Sequence, residues 1–154
     1  MSQYSILFYE EHDFDDTSIR LVQGAVGLYF IYLPSLMIPY PFAPSCLIYI
    51  GMSESRHNSV GNRLRAHKSG QSGNVALTNY AASYRTRFTY HTADVLKALG
   101  TDDILELESF FLGDFLRRHG AYPICNNQSG VLFPATGLRH GDVAIDWSFF
   151  APPP

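Results

Sequence analysis

GLYFIYL (Gly27 to Leu33) and CLIYIGM (Cys46 to Met52) are two apolar, aromatic-rich runs of strand length, and NSVGNRLRAHKSG (Asn58 to Gly70) follows them. Alternate residues of a strand share a face. Tyr29, Ile31 and Leu33 therefore go together, and Leu28, Phe30 and Tyr32 lie on the other side. In the second run Leu47, Tyr49 and Gly51 are set against Ile48 and Ile50. Antiparallel pairing of the two strands lets Tyr29 and Tyr49 approach across one face. In the third run Asn58 or Ser59 caps a helix that reaches about Lys68 and stops at Gly70. Gly61 weakens that helix, so packing must hold it. Arg63 and His67 lie four apart and share a face, while Arg65 points elsewhere.

Working outward, YSILFY (Tyr4 to Tyr9) is a first strand, rich in β-formers. DFDDTS after it reads as a turn or loop. Four prolines between Pro34 and Pro44 make a stiff loop or edge excursion, because proline cannot donate to a central ladder. KSGQSGN is a flexible loop, Leu77 to Ser83 a short helix, and RTRFTYHT (Arg85 to Thr92) a strand. Asp102 or Asp103 caps the longest helix, which ends at Gly120 after Arg117, Arg118 and His119, as the helix dipole favours.

The apolar stripe of that helix is expected to comprise Ile104, Leu105, Phe111, Leu112, Phe115 and Leu116. Glu108 falls in its middle and Glu106 on the wet side. A carboxylate among core residues is costly unless it is paired or holds a cation. Glu108 is therefore either a structural carboxylate bonded to Arg or Tyr, or a ligand. Beyond the helix Pro123 prevents continuation, and a last strand covers Val143 to Phe149. His140, Asp142 and Asp146 resemble a metal cluster only loosely and read more readily as turn and surface residues.

At 154 residues, with 46% hydrophobic and 16% charged content, the chain has the size and composition of one globular domain. Cys46 and Cys125 show no paired or metal-ligand spacing and read as buried thiols of a reducing compartment. The acidic start is unlike a signal peptide, and the run from Gly27 to Pro39 is too short to span a bilayer. A cytoplasmic protein with no membrane partner is expected. The net charge of −3 announces no global basic field. Locally, however, Arg56, Arg63, Arg65, Lys68, Arg85 and Arg87 fall in a stretch from Ser55 to Ala93 that lacks any Asp or Glu. That stretch is either a footprint for an anionic partner or a solvated basic face. No repeat, heptad run or phosphate-cradling glycine loop occurs.

Five features in this order resemble the GIY-YIG nuclease family. Gly27-Leu28-Tyr29 matches the first triplet with Leu in place of Ile, and Tyr49-Ile50-Gly51 matches the second. Arg63 and His67 in RLRAH match the helix arginine and the histidine that follows it in many members. Glu108 in ESFFL matches the metal-binding glutamate, and Pro123 with Asn126 the motif beyond that helix. The resemblance covers residues 27 to 127, leaving 1–23 and 128–154 as terminal extensions of a single domain. It implies an α/β (α+β) fold, a small, mainly antiparallel three-stranded central sheet flanked by helices. It also implies hydrolysis of DNA phosphodiesters with one Mg²⁺ or Mn²⁺.

In that scheme Tyr29 is the general base, Arg63 stabilises the phosphate and Glu108 holds the metal. Tyr49 and His67 orient water or phosphate, and Asn126 completes the pocket by hydrogen bonding. Arg56, Arg65, Lys68, Arg85 and Arg87 are the candidate nucleic-acid contacts. The partner is DNA ahead of RNA, bound by a monomer or homodimer in a restriction-like or mobile-element role. The loop between the two triplets is longer than usual in the family, no lysine lies near the second triplet, and no separate DNA-binding domain is evident. A second reading is a catalytically inactive nucleic-acid-binding module of the same fold, and a third a plain interaction domain whose tyrosines are sheet packing.

Overall fold

A computed structural model describes residues 4–126 and 143–152. Its centre is the strand β3 (Gly27–Tyr32), every residue of which is buried. An apolar strand with this little polar alternation is stable only when both its faces are covered. On either side β3 pairs antiparallel with β4 (Leu47–Ser53) and with β5 (Arg87–Thr92). A two-residue strand β2 (His12–Asp13) adds to the outer side of β5, giving a four-stranded sheet in the order β2-β5-β3-β4. The expected three strands are thus its core, and β2 extends it.

Two apolar layers follow from the alternation along β3. Leu28, Phe30 and Tyr32 meet the helix α5 (Ile104–His119) through Phe111 and Phe115, together with Phe150. Tyr29, Ile31 and Leu33 meet Val60 and Leu64 of α2 (Val60–Ser69) and Leu77 of α3 (Val75–Ser83). Alternation fails in β4, because the register shifts opposite Ile31 and Tyr32. Leu47 joins Ile50 in the α5 layer, and Ile48 joins Tyr49 in the α2 layer. A β-bulge adds one residue to one strand and turns the following side chains over. The expected grouping of Leu47 with Tyr49 is corrected accordingly.

Other boundaries differ for identifiable reasons. The first strand is only β1 (Tyr4–Ile6), and it pairs in parallel with β6 (Val143–Ile145) outside the main sheet. The segment expected to be an acidic loop instead starts the helix α1 (Asp16–Leu21), whose Asp15 side chain accepts the Ser18 backbone N–H. α3 begins at Val75, not Leu77, because Asn74 caps it. A single helical turn α4 (Ala93–Leu96) follows β5. The last strand stops at Ile145 because Asp146 caps a 3₁₀ turn, Trp147–Phe150. Asp146 is therefore a turn residue, while His140 and Asp142 lie outside the described residues.

The phase of α5 is also corrected. Its buried side chains are Ile104, Leu107, Phe110, Phe111, Asp114, Phe115 and His119, and Leu105 is exposed. Glu108 sits half-buried at the margin of this stripe, and Glu106 is likewise half-buried. Cys46 and Cys125 are buried free thiols. Among the described residues no helix is long and apolar enough to cross a membrane.

Candidate active site

Helix α2 is positioned by its first turn. Ser59 accepts the Asn62 N–H, Val60 N–H donates to the Ala25 carbonyl, and Gly61 N–H donates to that of Val22. A Cβ at Gly61 would lie 2.9 Å from the Gln23 backbone nitrogen. The glycine that weakens the helix is what lets it dock against the chain after α1. So docked, α2 buries Val60, Leu64 and His67 and leaves Arg65 exposed. Gly70, at φ 84°, ends it in the left-handed conformation that glycine adopts most readily.

Arg63 and His67 meet at the hydroxyl of Tyr29. Arg63 Nε–H donates to Tyr29 Oη at 3.3 Å, and His67 Nε2 lies 2.8 Å from the same oxygen. Tyr29 is 0% exposed and His67 3%. The Tyr49 ring lies 6.0 Å from Tyr29 and packs edge-on against His67 at 5.0 Å. Beyond His67, Nδ1 is 2.8 Å from Ser72 Oγ. Burial raises the Tyr29 phenol well above its usual value, the neighbouring Tyr49 adds to this, and the Arg63 charge opposes it. Burial, with the Arg63 charge beside it, lowers the His67 imidazole to about 4. At neutral pH the pair is therefore a neutral phenol and a neutral imidazole.

Glu108 approaches from the opposite layer, where α5 passes the edge strand β4. Burial raises its carboxyl to about 7, the Arg63 charge pulls it down, and Glu54 at the end of β4 pushes it up. Glu108 in turn raises the Tyr49 phenol, though burial is the larger cause. Tyr29, Tyr49, Arg63 and His67 are thus in contact beside β4, and Glu108 lies within electrostatic reach of Arg63 and Tyr49. Beside them opens a cleft of about 350 Å³, lined by Tyr49, Asn58, Arg63, His67, Ser72 and Asn74 among others. Among the residues lining this cleft Arg63 is the cation and none is a carboxylate. Such a cleft favours an anion. Tyr29 lies one hydrogen bond behind it.

Asn126 does not aim at this cleft. Its carboxamide grips the β4 backbone, with Oδ1 accepting the Ile50 N–H and Nδ2 donating to the Ile50 carbonyl, both at 2.8 Å. Its part is to hold the strand that carries Tyr49 and Gly51. The expected basic footprint is also partly cancelled. Arg87 pairs with Glu11 and Asp13, Arg85 with Asp13, and Lys68 with Asp16. The acids come from β2 and its flanks, far from the acid-free stretch in sequence. Arg56 and Arg65 are exposed, and no carboxylate pairs with them among the described residues.

Three informative residues are invisible to motif reasoning. Ser72 reaches His67 because the chain doubles back after Gly70, with Ser72 N–H donating to the Ala66 carbonyl. A left-handed glycine cap followed by a serine two residues on was the available signal. Glu54, just past the second triplet, raises Glu108 across space and has no periodic signature. Asp114, 6% exposed, accepts the Trp147 indole N–H at 2.7 Å and pairs with Arg117. Its position among Phe110, Phe111 and Phe115 marks it as internal.

Among the described residues no three His, Cys, Asp or Glu side chains form a metal-ligand cluster. No family model matches the chain, and neither a curated protein nor a solved structure matches it.

Proposed function

We propose that the chain is a metal-dependent endonuclease of the GIY-YIG type, which hydrolyses DNA phosphodiester bonds. The observation that carries this reading is the convergence of Arg63 Nε and His67 Nε2 on the buried Tyr29 hydroxyl. A phenol held between a guanidinium and a neutral imidazole can give up its proton through the imidazole, one ring nitrogen gaining a proton as the other releases one, while the cation stabilises the phenolate. The antiparallel β5-β3-β4 core with helices on both faces suits the fold that the resemblance implies.

Hard-oxygen donors at Glu108 and Glu54 suit Mg²⁺, which is usually held through one or two carboxylates and keeps several waters. The raised Glu108 carboxyl points the same way, because a nearby cation would relieve its burial and its repulsion from Glu54. When bound, Mg²⁺ supplies Lewis-acid stabilisation of charge on a phosphate oxygen.

In the proposed reaction the anionic diester seats in the cleft against Arg63, whose planar donors match two phosphate oxygens. Tyr49, packed against Tyr29 and His67, borders the space through which the attacking water reaches Tyr29. Tyr29, with its proton passed to His67, takes the proton of that water as it attacks phosphorus. Asn126 keeps β4 in place and touches no reacting atom.

Incubation of supercoiled plasmid with Mg²⁺ tests the proposal. The unaltered chain is expected to nick or linearise it, whereas Tyr29→Phe loses at least about a hundredfold in rate, the lower range for a missing acid-base group, and Glu108→Ala loses Mg²⁺-dependent cleavage. Equal cleavage by all three proteins would remove Tyr29 and Glu108 from the mechanism. Salt-dependent binding with no cleavage by any of them would favour the inactive binding module.

A further inference from the structure

We propose that Ser72 is the proton exit of the site: its hydroxyl governs the tautomer of His67 and lets the Tyr29 proton leave to solvent through the neutral imidazole. The proposal rests on the reading of Tyr29 as a base. It begins from a line of three groups, each 2.8 Å from the next, running from the inside of the protein to its surface. Tyr29 Oη touches His67 Nε2, and His67 Nδ1 touches Ser72 Oγ. The first two residues are buried, and Ser72 is exposed at the cleft.

The identity of the last group decides what the line can do. A carboxylate at Nδ1 would stabilise an imidazolium and hold one tautomer. A serine hydroxyl has no charge to offer an imidazolium, but it both donates and accepts. One Ser72 lone pair is taken by the Asn74 backbone N–H at 3.2 Å. That leaves one lone pair and one proton, enough to accept from Nδ1–H or to donate to bare Nδ1. Both neutral tautomers are therefore served by one hydroxyl.

The groups facing His67 make an imidazolium unfavourable. Tyr29 comes from β3, Tyr49 from β4 and the Arg63 cation from the same helix, while α3 contributes Thr78, which donates to the His67 backbone carbonyl. No carboxylate bonds to the ring among the described residues. The balanced alternative is a concerted shift. The Tyr29 O–H bond breaks as Nε2–H forms, Nδ1–H breaks as a bond forms to Ser72 Oγ, and the serine's own proton passes to a solvent water. The net change is one proton from phenol to water, with the phenolate held by Arg63 Nε–H and Nε2–H, and the imidazole neutral throughout.

Threonine and valine at position 72 have nearly the same shape and differ in the hydroxyl, so Ser72→Thr and Ser72→Val form the test. Ring ¹⁵N chemical shifts of His67, recorded without substrate, report the tautomer directly. Ser72→Thr is expected to match the unaltered chain, and Ser72→Val to shift the tautomer ratio at least tenfold toward Nε2–H. Plasmid cleavage should fall at least tenfold in Ser72→Val, with the limb that rises with pH, which reports Tyr29 deprotonation, moved to higher pH, and be retained in Ser72→Thr.

Identical ring shifts in the two variants would overturn the proposal, as would a tautomer change with an unaltered cleavage profile. If no protein cleaves, the nuclease reading falls and the proton-exit role falls with it. A Thr/Val difference in the ring shifts would then establish tautomer control alone.

Discussion

The Tyr29 ring occupies the space a side chain at position 51 would need: a Cβ built on Gly51 would lie 2.3 Å from Tyr29 Cζ and 2.4 Å from its hydroxyl. The two residues are direct cross-strand partners, so the last glycine of the second triplet is the floor on which the first tyrosine lies. Gly51→Ala is expected to destabilise the protein by about 1–3 kcal/mol, the usual range for overpacking a filled core, and to weaken the Arg63 and His67 contacts at Tyr29. Gly113→Ala is the control, since a Cβ at that exposed position of α5 meets nothing within 4 Å. That change should stabilise by about 0.5–1 kcal/mol through helix propensity. Thermal melts of the two variants should move in opposite directions.

Glu108 and His67 give stability opposite dependences on pH. The folded Glu108 carboxyl is raised to about 7 from 4.5, so the folded form binds the proton more tightly than the unfolded chain. Its contribution is most favourable below 4.5 and declines as pH rises through 7. His67 is lowered from 6.5 to about 4, so its contribution is intact above 6.5 and is lost as pH falls toward 4. Glu108→Gln should melt higher than the unaltered chain at pH 8, by about 1 kcal/mol once solvent screening is allowed for. The two should converge near pH 4.5. Melting curves across that range check both signs.

Asp114 anchors the C-terminal turn through the indole of the chain's single Trp. Removing a buried charged acceptor leaves the indole N–H unsatisfied, so Asp114→Ala should cost about 2–4 kcal/mol. Trp147 fluorescence should shift toward that of a wetter indole. Unchanged emission and stability would show that the contact does not hold the turn.

The acids at Glu11, Asp13 and Asp16 pair with Lys68, Arg85 and Arg87, three of the five basic residues that the sequence alone offers to nucleic acid. Glu11→Gln with Asp13→Asn should free Arg85 and Arg87. DNA binding at low salt is expected to tighten about threefold to tenfold, and the logarithmic salt dependence to steepen by about one to two. Binding isotherms at several salt concentrations decide this. An unchanged slope would place the DNA path away from β5.

Much of the α2 side of the site was legible because it rests on local rules. Ser59, Gly70 and the four-residue spacing of Arg63 and His67 fix a helix and its face with no knowledge of the rest of the chain. The two faces of β3 were legible for the same reason. What failed was nonlocal. The bulge at Ile48 reversed the expected grouping in β4, because a strand's period carries no mark of an extra residue. α5 was read in the wrong phase because leucines and phenylalanines fall on most of its sides, and Asp114, a polar residue, belongs inside. The ion pairs at Arg85 and Arg87 join residues more than seventy positions apart, beyond the reach of any local charge count. The Asn126 carboxamide, expected to complete the pocket, bonds the Ile50 backbone instead, a pairing of residues seventy-six positions apart.

The Asn126 carboxamide has a consequence for how the molecule meets others of its kind. Among the described residues β4 is the last strand of the sheet, and an unpaired strand edge is a template onto which a second chain can add by backbone pairing. A side-chain amide presents one acceptor and one donor in the arrangement of a peptide group, and here both are bonded to Ile50. Asn126 thus stands in for a neighbouring strand at one residue, closing the midpoint of the edge to β-addition. The same contact that steadies Tyr49 thus occupies the backbone groups of Ile50 through which a further strand would add.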